Sequence, residues 1–238
     1  MAAMTDSRLA AVLAQTKPML LDFDGPVTHL FIHGRNRMVA DLMRQALGEH
    51  CQPPPDVWDT HDPLVVLRWA AGNTPTEIQR AVDQASVLGE IEAATVTEPT
   101  PGSEDLLRAC QTAGRAVVIV SNNAEQAIHT YIDRFKLRDL VYAVAARTPG
   151  RPDLMKPHPN SLHRALHLLG AKPDECAMIG DSVTDIVVCQ AVGVRSIGYA
   201  KNPRRGQELD DAGADAIVDS ISDLASAIAS SAQLLPGA

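Results

Sequence analysis

Short apolar runs that stop at polar residues recur along this chain, with stretches of helical periodicity between them, and that alternation limits the fold more than any other feature. Met19-Leu20-Leu21 ends at Asp22-Phe23-Asp24, and Ala116 to Val120 ends at Ser121-Asn122-Asn123. Leu140 to Ala145 and Glu175 to Ile179 follow, the latter running into Gly180-Asp181-Ser182-Val183-Thr184-Asp185. Val194 to Tyr199 and Ala214 to Val218 complete the set. Runs this short and this apolar suit strands buried on both faces. Helical patterns alternating with them predict an α/β fold, a parallel sheet with helices on both faces. In such a sheet the carboxyl ends of the strands lie along one edge, where ligands bind.

One region departs from the alternation. Between Thr28 and Glu98 the chain carries helical patterns and no convincing strand. Phe31 to Gly34 reads as a loop or short extended piece. Met38, Leu42, Met43, Ala46 and Leu47 form an apolar stripe ending at Gly48. Gln52 to Asp56 is a stiff break. Asp62 is placed to cap a helix with Pro63 in its first turn, and a third helix from Thr74 carries Ile78, Ala81, Val82, Ala85 and Leu88. The expected organisation is a core of residues 1–27 and 99–238 with an inserted helical cap at 28–98, about 70 residues and near the lower end of domain sizes. After the insert, Ser103 is expected to cap a helix to Gly114. A helix follows Ser121-Asn122-Asn123, another precedes Gly170, and a last one starts at Ser220. Residues before Lys17 read as a short helix or a disordered lead-in, and the tail from Ser230 as frayed.

Composition narrows the function classes. A formal net charge of −8 implies no general nucleic-acid-binding face. The four cysteines, Cys51, Cys110, Cys176 and Cys189, are scattered and form no C-x-x-C pair. They suggest neither a zinc site nor a disulfide framework, and a cytoplasmic location is expected. No stretch is long enough to span a bilayer, and no secretory leader pattern is visible. Nucleic acid and membrane are therefore not expected partners; a monomer or homodimer is.

The strand ends supply the chemistry. Asp22 and Asp24 share a face of the first strand while Phe23 points away. Two carboxylates that close need a divalent cation, or a proton on one of them. Asp181 and Asp185 end the fourth strand, Ser121 and Asn122 the second, and Lys156 precedes a helix. Carboxylates suit Mg2+, which prefers oxygen ligands and often shares phosphate oxygens. Ser121 and Lys156 can bind phosphate as hydrogen-bond donor and point charge. Asp22 can attack phosphorus and Asp24 can act as general acid and base. Plainer readings stand beside these: Ser121 as a helix cap, Lys156 as a solvated lysine, Asp185 on an exposed helical face, His158 as a loop residue. His33, Arg35 and Arg37 are open between an anion contact and a solvated basic face, and Trp69 reads as core.

These four segments resemble, in order and spacing, the four motifs of the haloacid dehalogenase-like hydrolase superfamily. Asp22-Phe23-Asp24-Gly25 is similar to the first, Ser121 to the second, Lys156 in Lys156-Pro157-His158-Pro159 to the third, and Gly180 to Asp185 to the fourth. The position of the insert resembles the phosphoglycolate phosphatase and β-phosphoglucomutase group. The resemblance implies a Rossmann-like core and a Mg2+-dependent phosphatase acting on a small phosphorylated metabolite. It implies an aspartyl-phosphate on Asp22, with metal contacts from Asp22, the Asp24 carbonyl, Asp181 and Asp185. Asp22, Asp24 and Lys156 are then the catalytic candidates, and Ser121, Asn122, Lys156 and Gly25 the phosphate or substrate contacts. Pro26 stands where many members have Thr, removing one backbone donor. A phosphomutase and a non-catalytic phosphate binder are the alternatives on the same fold.

Overall fold

The structure, a computed structural model, describes residues 2–48 and 51–233, with side chains from residue 7 to residue 231 of that range. The strands are β1 (Met19–Leu21), β2 (Val117–Val120), β3 (Ala143–Ala145), β4 (Ala177–Gly180), β5 (Arg195–Tyr199) and β6 (Ala216–Val218). They form one parallel sheet in the order β3-β2-β1-β4-β5-β6. The order reverses at β1, which pairs Leu21 with Ile119 of β2 on one side and with Ile179 of β4 on the other. That reversal opens a crevice at the carboxyl ends of β1 and β4.

Helices cover both faces of the sheet and make up the insert. They are α1 (Ala2–Gln15), α2 (Arg35–Leu47), α3 (Pro55–Trp58), α4 (Pro63–Asn73), α5 (Thr76–Val96), α6 (Ser103–Thr112), α7 (Glu125–Arg134), α8 (Asn160–Leu169), α9 (Val183–Val192), α10 (Pro203–Asp211) and α11 (Ile221–Gln233). Side chains alternate across the pleat. Met19, Leu21, Val117 and Ile119 join Leu106, Leu107, Ile128 and Leu224 in one core. Leu20, Val118 and Val120 join Leu162, Leu166 and Val188 in another.

A third core belongs to α2, α4 and α5, around Val39, Met43, Leu47, Val66, Leu67 and Val82. The chain leaves the sheet for these helices and returns beside its own exit. Thr28 bridges to Pro99. The Thr28 hydroxyl donates to the Glu98 carbonyl at 2.8 Å, and the Thr97 hydroxyl donates to the His29 carbonyl at 2.6 Å.

Several local expectations are corrected. The buried stripe of α2 is Val39, Ala40, Met43 and Leu47; Met38 and Leu42 are exposed, as is Leu88 on α5. Only one side of α2 meets α5, so the apolar residues a turn off that line face outward. Ser103 does not cap α6: Gly102, at φ 84°, is the N-cap, because the Pro101-Gly102 turn sets the helix start one residue earlier. Residues Arg138–Leu140 form a 3-10 turn, and β3 begins only at Ala143. Ile32–Gly34 is likewise a 3-10 turn, and the proline-rich break contains the single turn of α3. The helix α10 between β5 and β6 has too weak an apolar pattern, with Leu209 alone buried, to be read from sequence. The expected lead-in is helical; of the tail expected to fray from Ser230, the residues to Gln233 continue α11, which corrects that reading, and the rest lies outside the described residues. Among the described residues no helix is long and apolar enough to cross a membrane.

Candidate active site

Asp22 continues β1 by one residue, donating its amide to the Ile179 carbonyl at 2.9 Å. Phe23 then enters the core, edge-on to Tyr131 with ring centroids 5.2 Å apart. Its burial leaves Asp22 and Asp24 together on the wall of a cavity of about 360 Å³. The cavity is also lined by Ser121, Asn122, Lys156 and Asp181, so the candidates from all four segments converge on one space. Asp185 lies directly beneath it, 1% exposed.

Lys156 is the hub. Its ammonium is buried and donates to the Val120 carbonyl at 3.1 Å. It lies 2.9 Å from Asp22 Oδ1 and 2.7 Å from Asp185 Oδ1. Burial opposes the charge, but the carboxylates of Asp185 and Asp22 hold Lys156 above its ordinary value, so it is a fixed cation. The solvated-lysine reading is excluded. So is an exposed Asp185, whose Oδ2 accepts the Ser182 amide at 3.1 Å and hydroxyl at 2.7 Å in a reciprocal cap of α9.

The Asp22 Oδ1 atom accepts the Phe23 amide at 2.7 Å in addition to its ion pair with Lys156. The Oδ2 atom has no hydrogen bond among the described residues. Burial raises the Asp22 carboxyl well above the ordinary range; Lys156 opposes that, while Asp185 and Asp181 add to it. Asp24 accepts the Leu30 amide at 3.0 Å, and burial pushes its carboxyl up to about 6, with the Leu30 hydrogen bond offsetting part of the shift. A carboxyl of that kind can both donate and accept a proton near neutrality.

Carboxylate oxygens of Asp22, Asp181 and Asp185 all lie within 4.8 Å of one another. An all-oxygen set this compact fits a small hard cation such as Mg2+. The Asp24 side chain is not in the set, being turned to Leu30. Two glycines allow the approach. Gly25 has φ +125°, and a Cβ there would stand 2.5 Å from Asp181 Cγ; one on Gly180 would stand 2.5 Å from Asp185 Cβ. The Gly25 amide is taken by the Thr28 carbonyl at 2.6 Å. As a phosphate donor Gly25 is therefore corrected: its amide is committed, and what it contributes is space.

Ser121 and Asn122 are differently employed. The Ser121 hydroxyl donates to Asn123 Oδ1 at 2.9 Å and accepts the Asn123 amide. It does not cap α7, whose N-cap is Ala124. Asn122 clasps the main chain of Lys156, accepting its amide at 2.7 Å and donating to its carbonyl at 3.3 Å. His158 is a loop residue whose Nδ1 accepts the Asn160 amide. Arg35 and Arg37 pair with Glu92 and Asp41 and stand away from the cavity.

Sequence reasoning missed four participants. Lys201 lies 2.5 Å from Asp181 Oδ2 and follows the end of β5; the strand-end rule, extended to β5, finds it. Asn123 partners Ser121. Glu90 of α5, fully buried, accepts the Ala124 amide at 2.5 Å and Arg147 at 2.7 Å. Arg147 donates in turn to the Asn122 carbonyl and, through its own amide, to that of Asn123. The only signal for Glu90 is a charge on the buried stripe of Val82, Ser86 and Ala93.

Residues 17–193 match the family described as haloacid dehalogenase-like hydrolase. Pyrophosphatase PpaX of Bacillus cereus (strain AH820) is 34% identical over 111 residues, 47% of this chain and 50% of that one. The chain thus spans about half the length of the curated relatives it matches. A predicted phosphatase from Clostridium acetobutylicum superimposes with a TM-score of 0.67 at 21% identity, over 90% of this chain and 98% of that one. A hydrolase of the same family from Deinococcus radiodurans R1, solved with bound phosphate and sodium, gives 0.60 at 24% identity, over 94% and 100%. At such identities the two structures establish the fold.

Proposed function

The chain belongs to the haloacid dehalogenase-like hydrolase family, and from that premise we propose that it hydrolyses a small phosphate monoester through a covalent phosphoryl-Asp22. One observation carries the reading. Oδ1 of Asp22 is held by the Phe23 amide and Lys156, which leaves Oδ2 free of hydrogen bonds on a cavity wall. A carboxylate fixed by one oxygen and open at the other is oriented for attack.

In the first step Asp22 Oδ2 forms a bond to phosphorus and the bond to the alcohol oxygen breaks. Asp24 gives its proton to that departing oxygen. In the second step Asp24, now a carboxylate, takes a proton from a water that attacks phosphorus, and the bond to Asp22 breaks to release phosphate. Lys156 offsets negative charge as it gathers on the phosphoryl oxygens. Asp22, Asp181 and Asp185, with the Asp24 carbonyl, would hold Mg2+, whose positive charge polarises the phosphoryl group. Asn122 keeps Lys156 in place by its main chain, and Ser121 lies within the same cavity.

A cavity of about 360 Å³ suits a small metabolite. We propose the same for setting: four free thiols suit a reducing cytoplasm, and the protein acts alone or as a homodimer without nucleic acid. Release of inorganic phosphate from a panel of phosphorylated metabolites tests the function. Turnover that depends on Mg2+ and is absent in Asp22→Asn supports it. A folded protein that releases no phosphate, with or without a bisphosphate primer, overturns it.

A further inference from the structure

The insert contributes Phe31, Asn36, Asp62, Pro63 and Leu64 to the lining of the cavity that holds Asp22 and Asp24. No lysine, arginine or histidine is among them, and the one charge is the carboxylate of Asp62. Asp62 precedes α4, and a helix N-terminus is ordinarily a place for an anion. Here that capacity is used up. Pro63 has no amide hydrogen. The Leu64 amide donates to Asp62 Oδ1 at 2.9 Å, and the Val65 amide to the Asp62 carbonyl at 3.2 Å. The helix end therefore offers negative charge to the cavity and no free donor.

Nearby cations are committed elsewhere. Arg68, on the same helix, donates to the Lys156 carbonyl and lines a separate groove with Gln79 and Arg151. Arg35 pairs with Glu92 and Lys201 with Asp181. Lys156, the one cation lining the cavity among the described residues, is enclosed between Asp22 and Asp185. Asn36 is the remaining polar side chain of the wall, and its carboxamide has no hydrogen bond among the described residues.

We infer that the alcohol half of the substrate is a hydrogen-bond donor without negative charge, bearing hydroxyl or ammonium groups that meet Asp62 and Asn36. A carboxylate or a second phosphate at that end has no counter-charge and faces Asp62. The inference rests on the phosphatase reading above and selects among its substrates. It sets aside phosphoglycolate-like acids and also inorganic pyrophosphate, despite the name of the relatives matched over half their length.

The experiment compares kcat/KM, with Mg2+, for glycerol phosphate and phosphoethanolamine against phosphoglycolate and inorganic pyrophosphate, with p-nitrophenyl phosphate as a generic ester. It is run on wild type, Asp62→Asn and Asp62→Ser; Asn and Ser both cap helices, so the helix start is kept while the charge is removed. The wild type is expected to favour the first pair by about tenfold or more, and both variants to shrink that ratio several-fold, roughly the scale of one partly screened charge. Hydrolysis of p-nitrophenyl phosphate together with equal or better use of the anionic pair overturns the inference and leaves the phosphatase reading standing. A preference unchanged in both variants removes Asp62 as its cause and overturns the assignment. No turnover of any ester by folded protein overturns the phosphatase reading and this inference with it.

Discussion

The carboxylate of Glu90 and the guanidinium of Arg147 meet at 2.7 Å, with side chains 0% and 2% exposed. Burial opposes the charge of Arg147, yet Glu90 and Asp83 together hold it above its ordinary value. The pair joins helix α5 to the loop that carries Asn122 and Asn123. Removing one partner of a buried pair strands the other. Glu90→Gln is expected to lose about 3 kcal/mol, roughly 6–12 °C in Tm for a chain this long. Because Arg147 braces the Asn122 carbonyl, kcat is expected to fall as well. Thermal unfolding and steady-state kinetics on the same preparation check both. An unchanged Tm removes the brace.

Asp22→Asn is expected to reduce kcat by about a thousandfold or more while the fold persists, since an amide is a poor nucleophile and the side chain keeps its size. Phosphate release and circular dichroism measured together decide it. Substantial steady-state turnover in this variant excludes the covalent route.

Gly25→Ala is expected to disturb Asp181 directly. The new methyl meets the carboxylate, and φ +125° is unfavourable for any side chain. A stability loss of about 2 kcal/mol or more is expected, with weaker Mg2+ binding. Calorimetric titration with Mg2+ reads the second effect, and retained affinity contradicts the close approach.

Mg2+ itself is expected to stabilise the protein, because it relieves the mutual repulsion of Asp22, Asp181 and Asp185. At about a hundred times its dissociation constant the gain is about 2.7 kcal/mol. Chelator should reverse the rise in Tm and abolish turnover, and Asp181→Asn should blunt both. A Tm indifferent to Mg2+ counts against the site.

Alkaline stability follows from a buried thiol. Burial pushes Cys110 from 9.0 up to about 12, with Arg115 opposing. Above pH 9 the unfolded chain gives up this proton before the folded one does. The contribution of Cys110 is therefore whole below pH 9 and is lost as pH rises towards 12, at about 1.4 kcal/mol per pH unit. Cys110→Ala should flatten the fall of unfolding free energy with pH over that window. An identical slope in the variant dismisses the thiol.

Much of the fold and of the candidate site was legible because strand ends announce themselves. An apolar run has to stop somewhere, and where it stops at Asp22, Ser121 or Asp181 the parallel sheet carries those residues to one edge. Lys156 was legible only as a member of the set, since nothing local to its loop reveals that Val120, Asp22 and Asp185 surround it. Glu90 and Arg147 are 57 residues apart and neither ends a strand, so their meeting is a product of tertiary packing. The exposure of Met38 and Leu88 has the same origin: periodicity gives a stripe, and the neighbouring helix selects which part of it is covered. Asp62 was legible as a helix cap from the Asp62-Pro63 step, but that this cap lines the same cavity as Asp22 and Asp24 depends on how the insert lies over the sheet.

The paired segments at Thr28 and Thr97 have a consequence for the architecture. Whatever is threaded between them, the sheet sees two ends already held side by side. Closing a longer or shorter stretch between fixed ends changes the entropy only logarithmically. The junction therefore works as a socket: the length and outer surface of the insert can change with little entropic penalty, provided that Glu90 and Arg68 keep their ties to the loops of the site. On the proposed reading, selectivity falls to the insert and bond-breaking to the sheet edge, two parts of one chain joined at this socket.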